Sequence, residues 1–287
     1  MKIIEPSVEI INESDPFKKI ELAGRTCYKS EANITEDSAH KLFKRLYENQ
    51  HFAMLEHATF IFKTTNYNTY LRAKNEKFIN ATIKYEDGFS TIIISGNLRA
   101  ILESKLQELK NALAIKYEEF KNLYQSDCTT AQIISFEDII NPNEDEINNH
   151  KYTTMRFITD RGVTHELVRH RLFSFAQEST RYVNYNKNDM HFIKPAEYDE
   201  WNISKQNIFI KSNERTEAYY KELISVGATP QEARAVLTNA IKTEIVVTGN
   251  NKEWQHFFDL RYKGTTGKPH PDMQKVAELA YDLYEEV

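Results

Sequence analysis

Residues 169–182 read RHRLFSFAQESTRY, and the arrangement of cations and hydroxyls in these fourteen positions organises the reading of the whole chain. Arg169, His170 and Arg171 are consecutive. On a helix they would fan over about 200°, too wide to face one partner. A helix end offers an ordinary explanation, because cations there complement the dipole and Glu166 lies three and four residues before Arg169 and His170. The continuation is less ordinary. Ser174, Ser179 and Thr180 bring hydroxyls, Gln177 an amide and Arg181 a guanidinium, groups that suit a phosphate and the polar edge of a flat ring.

Working outward, TTMRFITD (153–160) has the pattern of a strand whose Asp160 caps a helix over RGVTHELVRHR. HELVRH (165–170) is no zinc motif, since its second histidine falls one residue late and Arg169 takes the place a ligand pair at i and i+4 requires. Downstream, TPQEARAVL (229–237) carries a cap at Thr229, proline at the first helical position and Glu232 to close a capping box. TEIVVTGN (243–250) predicts a strand feeding the helix NKEWQHFFDLR. A last helix starts near HPDMQ (270–274) with Val276, Leu279, Ala280 and Leu283 on its apolar side.

Upstream, ITEDSAHKLFKRLYENQ (34–50) predicts a helix capped by Thr35. EHATFIFK (56–63) alternates Ala58, Phe60 and Phe62 against Thr59, Ile61 and Lys63, the period of a half-buried strand. STIIIS (90–95) predicts another strand, running through Gly96 and Asn97 into one long helix striped by Leu98, Ile101, Leu102, Leu109, Leu113 and Phe120. Residues 127–150 are polar and predict a surface loop. TIIISGN and IVVTGN echo each other, each a β-branched run ending in Gly-Asn before a helix. Strands and helices interleave without a βαβ period, so the expected class is α+β: a mixed, largely antiparallel sheet flanked by helices.

Composition narrows the possibilities. With 287 residues the chain has room for one large domain or two ordinary ones, and no composition break marks a boundary. A net charge of −5 speaks against coating nucleic acid, so an anion site has to be local. The two cysteines, Cys27 and Cys128, form no disulfide framework or metal pattern and suit a reducing cytoplasm. No signal peptide or membrane-spanning run is evident, so a soluble cytoplasmic protein without a membrane partner is expected. There is no G-x-S-x-G elbow, P-loop or G-x-G-x-x-G turn. Cys27 has no paired base in sequence, and a lone cysteine is more often a small buried hydrophobe than a nucleophile.

Arg169-His170-Arg171, seven residues, then Ser179, reproduces the R-H-R-x7-S signature, and the chain resembles the flavin-dependent thymidylate synthases. Arg181 and Tyr182 follow as in that family. GRTCY (24–28) is similar to its A-R-x-S-F segment with Cys27 in the serine position, and HFAMLEH (51–57) to its H-E-x-x-x-E-H segment at His51, Glu56 and His57. The block from Arg234 through Thr243 and Asn250 to Leu260 and Arg261 keeps the family spacing, and HPDMQ resembles H-x-Q. The main departure is residues 64–150, expected as an insertion within a single domain of 1–287, packed outside or over the site entrance. Smaller departures are Glu166, Gln177 and Thr238-Asn239.

The resemblance implies methylation of dUMP to dTMP, with methylenetetrahydrofolate as carbon donor and NADPH-reduced FAD as hydride source. It assigns Arg169, Ser179, Arg181, Arg234 and Arg261 to dUMP, with Glu166 and Gln177 as further members of that site. Arg261 is expected beside a uracil carbonyl, and Ser179 to position substrate rather than attack it. Glu56, His170, Arg171, Asn250, His256 and His270 match FAD positions, as do Arg169 and Gln177, and His51 matches a position tied to folate and flavin turnover. Arg261, Ser179 and His51 are the expected catalytic group. The family is homotetrameric, with active sites at subunit interfaces. No metal and no nucleic-acid partner is implied. Two other readings remain open on the residues: a single-stranded RNA-binding protein using the Arg- and Tyr-rich stretch, and a flavoprotein methylating uracil in RNA.

Overall fold

The computed structural model describes residues 1–286 apart from 87, 126–128 and 188–189, so Cys128 lies outside the described residues. The chain begins with β1 (Lys2–Ile4), β2 (Ser7–Ile10), α1 (Pro16–Tyr28) and α2 (Ser38–Glu48). A 3-10 turn over Met54–His57 leads to β3 (Thr59–Thr64), α3 (Tyr67–Ala73), β4 (Ile79–Glu86), β5 (Phe89–Asn97), α4 (Leu98–Glu103), α5 (Gln107–Lys116), β6 (Gln132–Ile134) and α6 (Glu144–His150). Then follow β7 (Tyr152–Asp160), α7 (Arg161–Leu167), β8 (Ser174–Gln177), β9 (His191–Ile193), α8 (Ile203–Ser225), α9 (Pro230–Ala233), β10 (Lys242–Asn250), α10 (Asn251–Arg261) and α11 (Pro271–Glu285).

The α+β expectation holds, with antiparallel pairing throughout the larger sheets, but the strands divide between two of them. One has the order β2-β7-β10-β8 and the other β4-β5-β3-β6; β1 and β9 form a small parallel ribbon. The run Ile245-Val246-Val247 explains the first sheet's place. Ile245 and Val247 pack with Trp254, Phe257 and Phe258 of α10 and Val276 and Ala280 of α11. Val246 faces the other way, onto Ala23 of α1 and Ala176 of β8. A strand buried on both faces needs a continuous apolar run instead of alternation. The same holds for β3, where Ile61 is buried as well as Phe60 and Phe62.

Residues 64–150 share a core with the rest of the chain. Phe17 of α1, Phe43 of α2 and Leu55 pack with Ile92 and Ile94 of β5, Leu109 and Leu113 of α5, and Phe120. The segment supplies three of the second sheet's four strands, β4, β5 and β6.

Four local expectations are corrected. Helix α7 stops at Leu167 and Val168 caps it, so 169–171 lie beyond the helix and the fan of directions does not apply. The long helix after Asn97 breaks, because Ser104 Oγ turns back to Ile101 O (2.8 Å) and accepts Leu106 N–H (3.2 Å) between α4 and α5. The 127–150 region is no simple loop: it contains β6 and α6, the latter started by a reciprocal Asn143/Glu146 capping box. Thr35 does not cap α2, which begins at Ser38; the Ser38 hydroxyl accepts the Thr35 N–H (2.8 Å) and donates to Glu21 (2.9 Å). The Thr229/Glu232 capping box forms as expected, although α9 gives way to a 3-10 turn at Arg234.

Candidate active site

Arg261 ends α10, where its guanidinium is held from two sides. Its Nε donates to His170 Nε2 (3.1 Å) and its Nη1 pairs with Glu166 Oε2 (2.9 Å). His270 Nδ1 stands 4.0 Å from the other Glu166 oxygen. The His170 ring packs edge-on against Phe257 (5.2 Å between centroids) and near His256 (6.1 Å). Burial, then the charge of Arg261 and His256, pushes the His170 imidazole down to about 4. His170 is therefore neutral at pH 7 and offers Nε2 as an acceptor, which leaves its proton on Nδ1. A cation fixed between a neutral ring and a carboxylate is prepared to meet negative charge on a ligand.

A second group lies on the turn after β8. The Ser179 N–H donates to Cys27 O (2.8 Å), joining this turn to the end of α1, and Ser179 Oγ accepts the Arg181 N–H (3.3 Å). Arg181 Nε donates to Gln231 Oε1 (3.0 Å) and its guanidinium lies over Tyr182 at 5.3 Å. Gln231 precedes Arg234 by three residues, so Arg181 is tied to the segment that bears Arg234. The Arg169 and Arg234 side chains are exposed and make no hydrogen bond or ion pair among the described residues. Gln177 lies between α7 and β10, donating to Thr164 Oγ1 (2.9 Å) and Thr243 Oγ1 (3.3 Å).

The third group faces both sheets. Two adjoining hollows of about 120 and 470 Å³ share Glu56, Phe78, Asn97 and Ser174; Asn250 lines the smaller and Arg171 the larger. Glu56 pairs with Arg99 Nη1 at 2.8 Å. Asn97 caps α4 and Asn250 caps α10, each accepting a backbone N–H. The adjacent glycines admit close neighbours. A Cβ on Gly249 would stand 2.2 Å from the Phe173 ring, and one on Gly96 3.0 Å from Phe78 O. His51 lies apart, in a cleft of about 520 Å³ with Cys27, Tyr28, Arg45 and Met54. Burial lifts the Cys27 thiol to about 11, which removes it as a nucleophile at neutral pH.

A model of the family described as thymidylate synthase complementing protein matches residues 9–77 and 92–287. The chain belongs to that family. Family members similar to it include a flavin-dependent thymidylate synthase of Mycobacterium sp. (strain KMS), 37% identical over 120 residues, with 35% of this chain and 46% of the relative covered. One from Pyrococcus abyssi is 30% identical over 178 residues, covering 53% of this chain and 66% of the relative. The chain thus spans about half to two thirds of the length of these two relatives. A solved UMP/dUMP methylase from Streptomyces cacaoi aligns over 100% of this chain and 93% of its own at 15% identity, with a TM-score of 0.45. The family match leaves residues 78–91 uncovered.

Against the expected family set, one chain unites Glu166, His170, His256, Arg261 and His270, and separately Ser179, Arg181 and the Arg234 segment. It brings Glu56, Arg171 and Asn250 to the adjoining hollows and leaves His51 elsewhere. Sequence reasoning missed Asn97 and Arg99, although the SGN/TGN echo marked the first. It also missed Glu178, buried beside Ser179, which accepts from Tyr185 Oη (2.7 Å) and Lys242 Nζ (3.2 Å). His57, only a landmark in sequence, is fully buried and bonds Thr248 Oγ1 (2.9 Å), anchoring the turn that carries Glu56 to β10. Among the described residues no group of three or more His, Cys, Asp or Glu side chains is placed to hold a metal ion. No helix among them is long and apolar enough to cross a membrane.

Proposed function

We propose that this chain is a flavin-dependent thymidylate synthase, converting dUMP to dTMP with methylenetetrahydrofolate as carbon donor and NADPH as reductant through FAD. The observation that carries the reading is Arg261 fixed between neutral His170 and Glu166. Methylating C5 of uracil requires charge to develop on the ring and its carbonyls. A guanidinium already oriented toward that charge stabilises it without reorganising. Arg181 and Arg234, with Arg169, take the dUMP phosphate, since arginine matches phosphate oxygens bidentately. Ser179 and Gln177 orient the uracil edge by hydrogen bonding. Ser179 Oγ accepts a backbone N–H, and the adjacent Glu178 carboxylate is engaged by Tyr185 and Lys242 instead, so Ser179 positions the ring.

Bound FAD, once reduced by NADPH, supplies the hydride. The residues fit such a group. Arg171 and Lys77 line the larger hollow without an ion-pair partner among the described residues and suit a diphosphate, while Glu56 lines both hollows and Asn250 the smaller one. His170, His256 and His270 serve the ring end next to Arg261. His51 lies in the roomier cleft as the residue that meets folate. The active protein is a homotetramer in the cytoplasm, its sites built at subunit interfaces. Assembly brings the Arg234 segment of one subunit to the Arg261 corner of another. Residues 64–150 form an insertion within one domain.

The direct test is a visible spectrum of the purified protein with FAD, before and after NADPH, with and without dUMP. The reading expects a bound flavin that bleaches on reduction. A protein that takes up no flavin would remove the reading, and salt-dependent RNA binding in its place would favour the RNA-binding alternative.

A further inference from the structure

A hollow of about 510 Å³ lies where the first turn of α1 meets β3, the end of α5, β6 and the start of β7. No residue assigned above to dUMP, FAD or folate lines it. Lys19, Lys116 and Lys151 do, one each from α1, α5 and the junction of α6 with β7. None of the three has an ion-pair partner among the described residues. Lys19 carries the argument. It is half-buried and stands in the first turn of α1, where the helix dipole already disfavours a cation. The nearby negative charge is Glu13, whose carboxylate accepts the Asp15 N–H (2.8 Å). Burial prevails over that charge and holds the Lys19 ammonium below its ordinary range. A cation kept there without a paired anion costs the fold, and an anionic ligand offsets that cost.

The rest of the lining leaves room for such a ligand. Asp138 folds back to accept the Ser135 N–H (2.7 Å) and feels the Lys116 charge, and Glu137 is exposed. His150 has both ring nitrogens engaged, by Ser95 (2.7 Å) and Thr82 (2.8 Å). Ser14, Thr59 and Thr153 add hydroxyls. We propose that this hollow binds a small polyphosphate anion, with Lys19, Lys116 and Lys151 on its oxygens. Three ammonium groups exceed the charge of one phosphate monoester, about −2 at pH 7, and lysine serves phosphate as a point charge. The volume suits a small molecule. The proposal uses none of the residues assigned to dUMP or FAD and stands apart from the flavin-dependent reading. It gives residues 64–150 a ligand to share with α1. Free polyphosphate and a nucleoside triphosphate present the same chemistry to the lysines.

The test is calorimetric titration of the full chain with inorganic tripolyphosphate, ATP and dTTP. The parent protein carries Arg171→Ala and Arg181→Ala, which remove cations assigned to the flavin and dUMP phosphates. Lys19→Met, added to that parent, deletes a half-buried unpaired charge at similar length, so it should melt no lower. Tripolyphosphate should bind the parent and weaken roughly tenfold in Lys19→Met, and likewise in Lys151→Gln. Lys18→Gln changes an exposed lysine of the same helical turn that does not line the hollow, and should bind like the parent. Tighter binding of ATP or dTTP than of tripolyphosphate assigns the hollow to nucleoside triphosphates; equal or weaker binding assigns it to free polyphosphate. The proposal is overturned if none of the three binds the parent, or if Lys19→Met and Lys151→Gln bind as tightly. It is overturned too if Lys18→Gln weakens binding as much as they do.

Discussion

Arg261 and Arg234 are both assigned to the nucleotide, yet their surroundings differ in kind. Arg261 is held by His170 and Glu166 inside a corner built from α7, the 169–173 turn and α10. Arg234 sits exposed on a short 3-10 turn with its side chain uncommitted, and its neighbour Arg181 has only an amide and an aromatic face for company. The first arrangement costs the chain its own binding groups to pre-orient one cation. The second leaves cations mobile until an anion, or another subunit, orders them. Pre-orientation serves the place where charge develops during reaction, and loose cations serve a phosphate whose charge never changes.

Variants that separate the two regions test this division. Arg261→Ala should have the largest effect, lowering dTMP formation by a hundredfold or more while thermal unfolding stays near wild type. Undiminished turnover would show that the pre-oriented cation is not used. Arg234→Ala and Arg181→Ala should raise the half-saturating dUMP concentration by about tenfold each, the cost of one charge-assisted contact, with maximal rate changed far less. If both variants lose maximal rate instead, the contrast between the regions collapses. Glu166→Gln should fall between, reducing turnover several-fold because a neutral amide still accepts from Arg261 but no longer fixes its charge.

The pH dependence sharpens the same comparison from the side of stability. His57, His150 and His170 are all held down to about 4 against an ordinary 6.5, chiefly by burial. Unfolding therefore takes up protons between those values. Stability should be full above about pH 6.5 and decline as pH falls toward 4. Urea midpoints at pH 7 and pH 5 would check this. Equal midpoints would mean that the three imidazoles are not buried neutral. The smallest effect belongs to Cys27→Ala, which should retain dUMP methylation because burial keeps the thiol protonated.

Much of this was legible in the residues. The strand over 243–250, the helix it feeds and the Thr229/Glu232 box all formed as their local chemistry dictates. The Gly-Asn echo was visible too, but its meaning was spatial. Gly249 admits Phe173 and Gly96 admits Phe78, and both following asparagines line one hollow. Sequence could not give that, since the two copies belong to different sheets. The 169–171 fan misled because nothing local signals that α7 ends at Leu167; His170 leaves the helix to pack on Phe257, a contact 87 residues away. Polarity hid α6 within 127–150, because the buried Glu146 and His150 look like surface residues until their partners are known. His150 bonds Ser95 (2.7 Å) and Thr82 (2.8 Å), and Glu146 closes the cap with Asn143.

The central claim is that this chain methylates dUMP at the expense of FAD-borne reducing equivalents. The measurement that meets it most directly is dTMP formed by the purified protein from dUMP, methylenetetrahydrofolate and NADPH, with and without added FAD after the flavin has been stripped. The account predicts dTMP only when FAD is restored, and none from the Arg261→Ala protein under the same conditions. Formation of dTMP by the flavin-free protein, or none from the fully supplied wild type, would contradict it.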